Sequence, residues 1–249
     1  MKGWLVNDTL TCIPGTRTLW HELLDWFPLL QDKTNGHTPF NLLTKKIERE
    51  ASLEPPDYII RNGTFFPKIK VPVKTISLIQ DIYHNEIRTN QIDVINNSDL
   101  VVFNSNYTKT HYQNDIKVPS VIIPLGIDFD FFTPSNNKYN NLNILPNSIV
   151  FVGAANNHPK GFDILLDFIN NSNYNFCLVM KDDFKIDHPR VKVFNKVGHD
   201  VLLEIYRSCK VCICTSRVET QHLASIEAGA CNIPVVTSNI GAYYNRPSG

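Results

Sequence analysis

The sequence predicts an α/β protein made of two parallel-sheet domains that face each other across a cleft. Three observations carry that expectation. Short apolar runs alternate with amphipathic stretches through both halves, which is the rhythm of βαβ units. A polar stretch at 133–147, holding Pro134 and Pro146 and little that needs burial, separates the halves. The 249 residues, 43% of them hydrophobic, amount to about twice the commonest domain size.

In the first half, strands are expected at 3–6, 58–60, 75–79, 100–103 and 120–123, and helical periodicity fills 19–30, 87–96 and 105–113. Ser105 stands where an N-cap hydroxyl would receive a free helix amide. In the second half, strands are expected at 148–152, 175–180, 191–194, 211–214 and 234–237, with helices at 161–170, 200–208 and 222–230. The domains then run from 1 to 132 and from 148 to 249, joined by a linker at 133–147. Ligands of such folds bind in interdomain clefts and at the carboxyl ends of parallel strands.

Composition excludes several classes. Twenty-four basic residues balance 24 acidic ones, so no net charge draws the chain to polyanions, and a dedicated nucleic-acid binder is not expected. The first seven residues lack the apolar core of a signal peptide, and no later run approaches the ~20 apolar residues of a membrane span. A cytoplasmic location is therefore expected. Cys177, Cys212, Cys214 and Cys231 lie in or beside apolar runs, as reduced cysteines that pack like small hydrophobes do. Cys209, Cys212 and Cys214 resemble a metal hook, but Cys212 and Cys214 alternate with Val211 and Ile213 in a strand-like run, and no His/Cys pair elsewhere completes a zinc set. No metal is expected.

Chemistry concentrates in 215–236, which leaves one buried strand and enters another. Glu227 lies among Ile226, Ala228, Gly229 and Ala230, where an ionised carboxylate is costly unless hydrogen-bonded. Glu219 falls in the loop before the same helix, whose first amides favour an anion. Two carboxylates that accept hydroxyls beside such a terminus suit a phosphorylated sugar. The bland alternative is a helix-start carboxylate at Glu219 and a solvated one at Glu227. Upstream, the strand ending at Gly153 runs into a loop before Lys160 and the next helix, a turn that lets backbone and ammonium approach a diphosphate.

These stretches together resemble glycosyltransferase family 4, the glycosyl transferases group 1, of the two-domain, double-Rossmann GT-B type. Glu219 and Glu227, with seven residues between them, are similar to that family's paired glutamates, and 227–236 to the helix and strand that follow. Phe151-Val152-Gly153 through Lys160-Gly161-Phe162 resembles the phosphate loop. Residues 121–134 are similar to the entry into the linker, and 99–105 to the strand and serine before it.

The resemblance implies a retaining enzyme that moves a sugar from a nucleotide diphosphate sugar to an acceptor hydroxyl, without a cofactor or an essential metal. It implies that Glu219 contacts the donor sugar, that Glu227 binds the ribose, and that Lys160 and backbone amides at Leu223 and Ala224 hold the diphosphate. Gly153 belongs to the same loop, and Gly15, in Ile13-Pro14-Gly15-Thr16, stands for the amino-terminal glycine loop, with Arg17 beside it. The expected donor-binding set is therefore Gly15, Gly153, Lys160, Leu223, Ala224 and Glu227. The expected catalytic set is Glu219, Asp81 and Gln80.

Three departures stand out. Ala154 and Ala155 follow Gly153, where members often carry a basic residue. Gln80 precedes Asp81 where many carry a histidine, and Gln80 cannot shuttle a proton; His84 could replace it only if its loop bent back. The chain also stops soon after Asn245, short of the family's closing helices, so the second domain reads as shortened. The expected partners are a nucleotide sugar and a carbohydrate or glycolipid acceptor, and Trp26-Phe27 and Phe65-Phe66-Pro67 leave a peripheral membrane contact open. A sugar-nucleotide epimerase, or an idle nucleotide-sugar-binding module, fits the same frame.

Overall fold

The computed structural model describes residues 3–6, 48–49, 51–53, 55–62, 70, 72–135, 142–155 and 158–245. The helix expected at 19–30, Gly15, Arg17 and the aromatic pairs at 26–27 and 65–66 lie outside the described residues. The chain divides into two compact units, Met1–Leu125 and Gly126–Gly249.

The first unit holds strands β1 (Gly3–Val6), β2 (Tyr58–Asn62), β3 (Lys74–Ile79), β4 (Leu100–Phe103) and β5 (Ser120–Ile122), paired in parallel in the order β1-β2-β3-β4-β5. Helix α1 (Asn85–Asn96) connects β3 to β4, and α2 (Asn106–Tyr112) connects β4 to β5. Side chains alternate across a strand, so Ile79, Val101 and Phe103 share one face of the sheet, where Ile95 of α1 and Tyr112 of α2 close over them. Ser105 caps α2 by accepting the Thr108 amide at 3.0 Å. Arg61 is fully buried beneath this unit; its guanidinium donates to Ser77, Ser98 and the Val94 carbonyl, and burial pushes it down to about 10.

The second unit has strands β6 (Ile149–Gly153), β7 (Phe176–Met180), β8 (Val191–Asn195), β9 (Val211–Cys214) and β10 (Val235–Thr237), again all parallel. Their order is β10-β9-β6-β7-β8. Beginning in the middle, the chain builds outward to β8, then returns to the other side of β6 for β9 and β10. The resulting topological switch point lies between β6 and β9, where loops leave in opposite directions and open a crevice. Helix α3 (Phe162–Asn171) packs Phe162, Leu165 and Ile169 on the face that carries Ile149, Phe151, Phe176, Leu178 and Met180. Helices α4 (His199–Ser208) and α5 (Leu223–Ala230) cover the other face, where Tyr206 and Ala228 meet Val150, Cys177, Val179 and Cys212.

The linker read at 133–147 falls inside this second unit. Phe132 is buried in its core with its ring 6.2 Å from that of Tyr206, and Arg207 donates to the Thr133 carbonyl and hydroxyl, which ties the segment to α4. Among the described residues, no helix is long and apolar enough to cross a membrane.

Candidate functional site

The switch point brings together the two segments that carried the chemistry in the sequence. Residues His158–Lys160 form a 3-10 turn after β6, and Gly161 follows at φ +62, a left-handed backbone that glycine adopts without steric cost. That conformation directs the turn against the loop after β9. The Arg217 amide donates to the Pro159 carbonyl at 2.8 Å, the Thr215 hydroxyl to the Lys160 carbonyl at 3.1 Å, and the Arg217 guanidinium to both Asp163 oxygens at 2.7 and 2.6 Å. The two loops are thereby stapled, and Lys160 Nζ reaches Glu219 Oε1 at 2.5 Å although 59 residues separate them.

Glu219 is buried, and the Ser216 hydroxyl donates to the same oxygen at 2.8 Å. A buried carboxylate is tolerable only with such donors. Helix α5 then begins at Leu223 and Ala224, among the amides that a helix cannot satisfy itself, close in sequence to Glu219. Its N-cap, His222, has φ +60, unusual for a residue with a side chain, and places Nε2 4.0 Å from Glu219 Oε1. One turn further, Glu227 Oε2 accepts the hydroxyl of Tyr206 on α4 at 3.0 Å. Burial pushes the Glu227 carboxyl up, against the opposing pull of that hydrogen bond and of His199 and His222.

Lys160 and Glu219 thus meet beyond the carboxyl ends of β6 and β9, Leu223 and Ala224 open the helix that follows Glu219, and Glu227 lies further along it. Gly153 ends β6, and a Cβ on it would meet the Phe151 ring at 2.6 Å, so any larger residue there would have to displace that ring. Gln80 and Asp81 lie in the first unit, at the carboxyl end of β3. The Gln80 carbonyl accepts from Asn104, and the Asp81 carbonyl from Gln91 and Tyr112. His84 is exposed and stands at the N-cap of α1 with extended backbone. Gln80 borders an apolar cavity of about 300 Å³ that Ile60, Ile76, Leu78 and Leu100 also line.

Ser216, Tyr206 and His222 were not singled out from sequence. The first two act only through the carboxylates they hold, and no local pattern marks them. Cys209 and Cys212 are core residues, and burial pushes the Cys212 thiol up. Cys214, at the end of β9, differs. Burial would raise its thiol, but contacts with the His222 ring, the Ser216 backbone and the Thr237 hydroxyl hold it below its ordinary value. Cys214 also lines a crevice of about 510 Å³ over the ends of β9 and β10, with Thr215, Ser216, Arg217, Thr237 and Ser238.

Residues 146–246 match the family described as Glycosyl transferases group 1. An uncharacterised glycosyltransferase of Methanocaldococcus jannaschii is 25% identical over 154 residues, a match that covers 58% of this chain and 41% of the relative's length. Among solved structures, sucrose-phosphate synthase from Thermosynechococcus elongatus superposes with a TM-score of 0.77 at 17% identity, over 98% of this chain and 82% of that one. A glycosyltransferase from Rickettsia africae does so with a TM-score of 0.67 at 17% identity, over 97% and 80%. At such identities the superpositions establish the fold, an α/β fold with two parallel sheets that matches GT-B glycosyltransferase structures. Residues 146–246 are thus similar to the glycosyl transferases group 1, and the fold of the chain is the one those superpositions share.

Proposed function

We propose that the protein transfers a sugar from a nucleoside diphosphate sugar to the hydroxyl of a carbohydrate or glycolipid acceptor, with retention of anomeric configuration. The observation that carries this reading is the Lys160–Glu219 pair at the switch point, beside the start of α5. In the free protein the two charges satisfy each other. A donor gives each a better use: its diphosphate takes the Lys160 ammonium and the Leu223 and Ala224 amides, while its sugar hydroxyls donate to Glu219. Glu227, whose carboxylate accepts the Tyr206 hydroxyl, is assigned to the ribose hydroxyls.

Positive groups fixed around the leaving diphosphate stabilise the charge that develops as the glycosidic bond breaks, so this chemistry needs neither a cofactor nor an essential metal. Gln80 and Asp81, at the strand ends of the first unit, are assigned to polar contacts with the reacting sugars. Gln80 donates a hydrogen bond there and carries no proton.

The test is release of nucleoside diphosphate from a panel of nucleotide sugars, with and without carbohydrate acceptors, followed by the anomeric configuration of the product. Lys160→Ala should lower kcat/KM about 10²- to 10³-fold, the usual loss for one donor to a developing anion. Glu227→Ala should weaken nucleotide binding. Folded protein that neither binds nor turns over any nucleotide sugar, or a strict divalent requirement that persists at saturating donor, would refute the proposal.

A further inference from the structure

One cluster in the second unit is only partly used by that chemistry. The Cys214 sulfur, a Glu219 carboxylate oxygen and a His222 ring nitrogen all lie within 4.8 Å of one another. The residues come from the end of β9, the loop after it and the cap of α5. Cys214 is 4% exposed, and the side chains of Glu219 and His222 are 9% and 7% exposed. His222 Nδ1 is buried and has no hydrogen-bond partner among the described residues. A buried imidazole nitrogen without a partner is costly, and here it belongs to a ring set beside a thiol and a carboxylate.

We propose that Cys214, Glu219 and His222 form a zinc-binding site. Thiolate, imidazole and carboxylate together suit a borderline cation, whereas magnesium or calcium would call for oxygen alone. Tetrahedral zinc, with bonds of about 2.0–2.3 Å, sets its ligand atoms about 3.3–3.6 Å apart. The cluster therefore needs to close by about 1 Å, a change within reach of side-chain rotation. Three protein ligands leave a fourth position for water or an anion.

The surroundings are those of a supported site. The Ser216 hydroxyl fixes Glu219, and the crevice that Cys214 lines supplies a way in. Lys160 is the competitor, because its ammonium holds the carboxylate that zinc would take, and like charges exclude each other there. Zinc would consequently antagonise donor binding, a consequence that rests on the function proposed above.

The experiment titrates the chelator-treated full chain with cobalt(II), then with zinc, in the absence of any nucleotide, so that its result is independent of whether sugar transfer is found. One equivalent of cobalt should bind with a thiolate charge-transfer band and the intense visible bands of a tetrahedral ion, and zinc should bleach both. Cys214→Ser should lose the charge-transfer band. His222→Gly should weaken binding more than about 100-fold, since even groups behind a ligand are worth 10- to 100-fold. Glycine suits the left-handed backbone at position 222, so that loss cannot be put down to misfolding. Folded wild type that binds no cobalt, or a charge-transfer band that survives in both variants, would overturn the site.

Discussion

Gly161→Ala tests whether the geometry around Lys160 is built as described. Gly161 has φ +62, and a Cβ there would lie 2.0 Å from the Thr215 carbonyl oxygen and 2.8 Å from its carbon. The left-handed backbone costs a residue with a side chain about 1–2 kcal/mol. The clash is with backbone, not with a flexible side chain, so β9's loop must shift, which adds about 1–3 kcal/mol of overpacking. The sum is about 2–5 kcal/mol, or roughly 4–20 °C in Tm at about 2–4 °C per kcal/mol for a chain of this size. Gly229→Ala supplies the opposite sign: Gly229 lies exposed in α5 with nothing within 4 Å of a new Cβ, and should gain about 0.5–1 kcal/mol. Urea unfolding of both variants beside wild type measures the difference. Because the shift pulls the Thr215 hydroxyl from the Lys160 carbonyl, Gly161→Ala should also weaken nucleotide diphosphate binding. A cost below about 1 kcal/mol, or a change of the same sign as that of Gly229→Ala, would refute the reasoning.

Two further outcomes follow from the electrostatics. Burial holds the Glu227 carboxyl above its ordinary 4.5, so the stability it contributes is present below that pH and is lost as pH rises through the folded value. Glu227→Gln should therefore match wild type in Tm at pH 4, exceed it increasingly as the pH is raised to neutrality, and still bind nucleotide less well; a variant that is less stable at neutral pH would contradict this. The Arg217 guanidinium holds the Asp163 carboxyl down to about 2 from its ordinary 3.8, so the pair's contribution is present above 3.8 and lost as pH falls through about 2. In Arg217→Ala, the Asp163 carboxyl followed by NMR should titrate near 3.8, and an unchanged midpoint would mean that the pair does not persist in solution.

The sheets were legible because each strand is a short apolar run, and the paired glutamates and the lysine loop were legible because each lies within one local stretch of chain. What joins those stretches was not. Lys160 meets Glu219 only because β9 returns to the side of β6 away from β7, a choice of strand order that leaves no mark on either segment. Tyr206 reads as a core aromatic in α4, which it also is, and its hydroxyl becomes the partner of Glu227 only when α4 and α5 share a face of the sheet.

Cys214 shows the same limit from the other side. With Cys212 it alternates with Val211 and Ile213 and reads as a small hydrophobe, and by the period of a strand that is sound for a residue inside the sheet. Cys214 is the last residue of its strand, however, so its neighbours are set by the loop that follows. That loop closes on a histidine in left-handed backbone, where glycine or asparagine is the usual choice. An unfavourable conformation at His222 persists only if the surroundings impose it, and its ring is thereby held between a thiol and the carboxylate assigned to the donor sugar. Strain, an unpartnered nitrogen and a shared carboxylate meet at one residue. The His222→Gly variant therefore separates two roles of this corner: it should relax the backbone, leave the Lys160–Glu219 pair in place, and remove the metal.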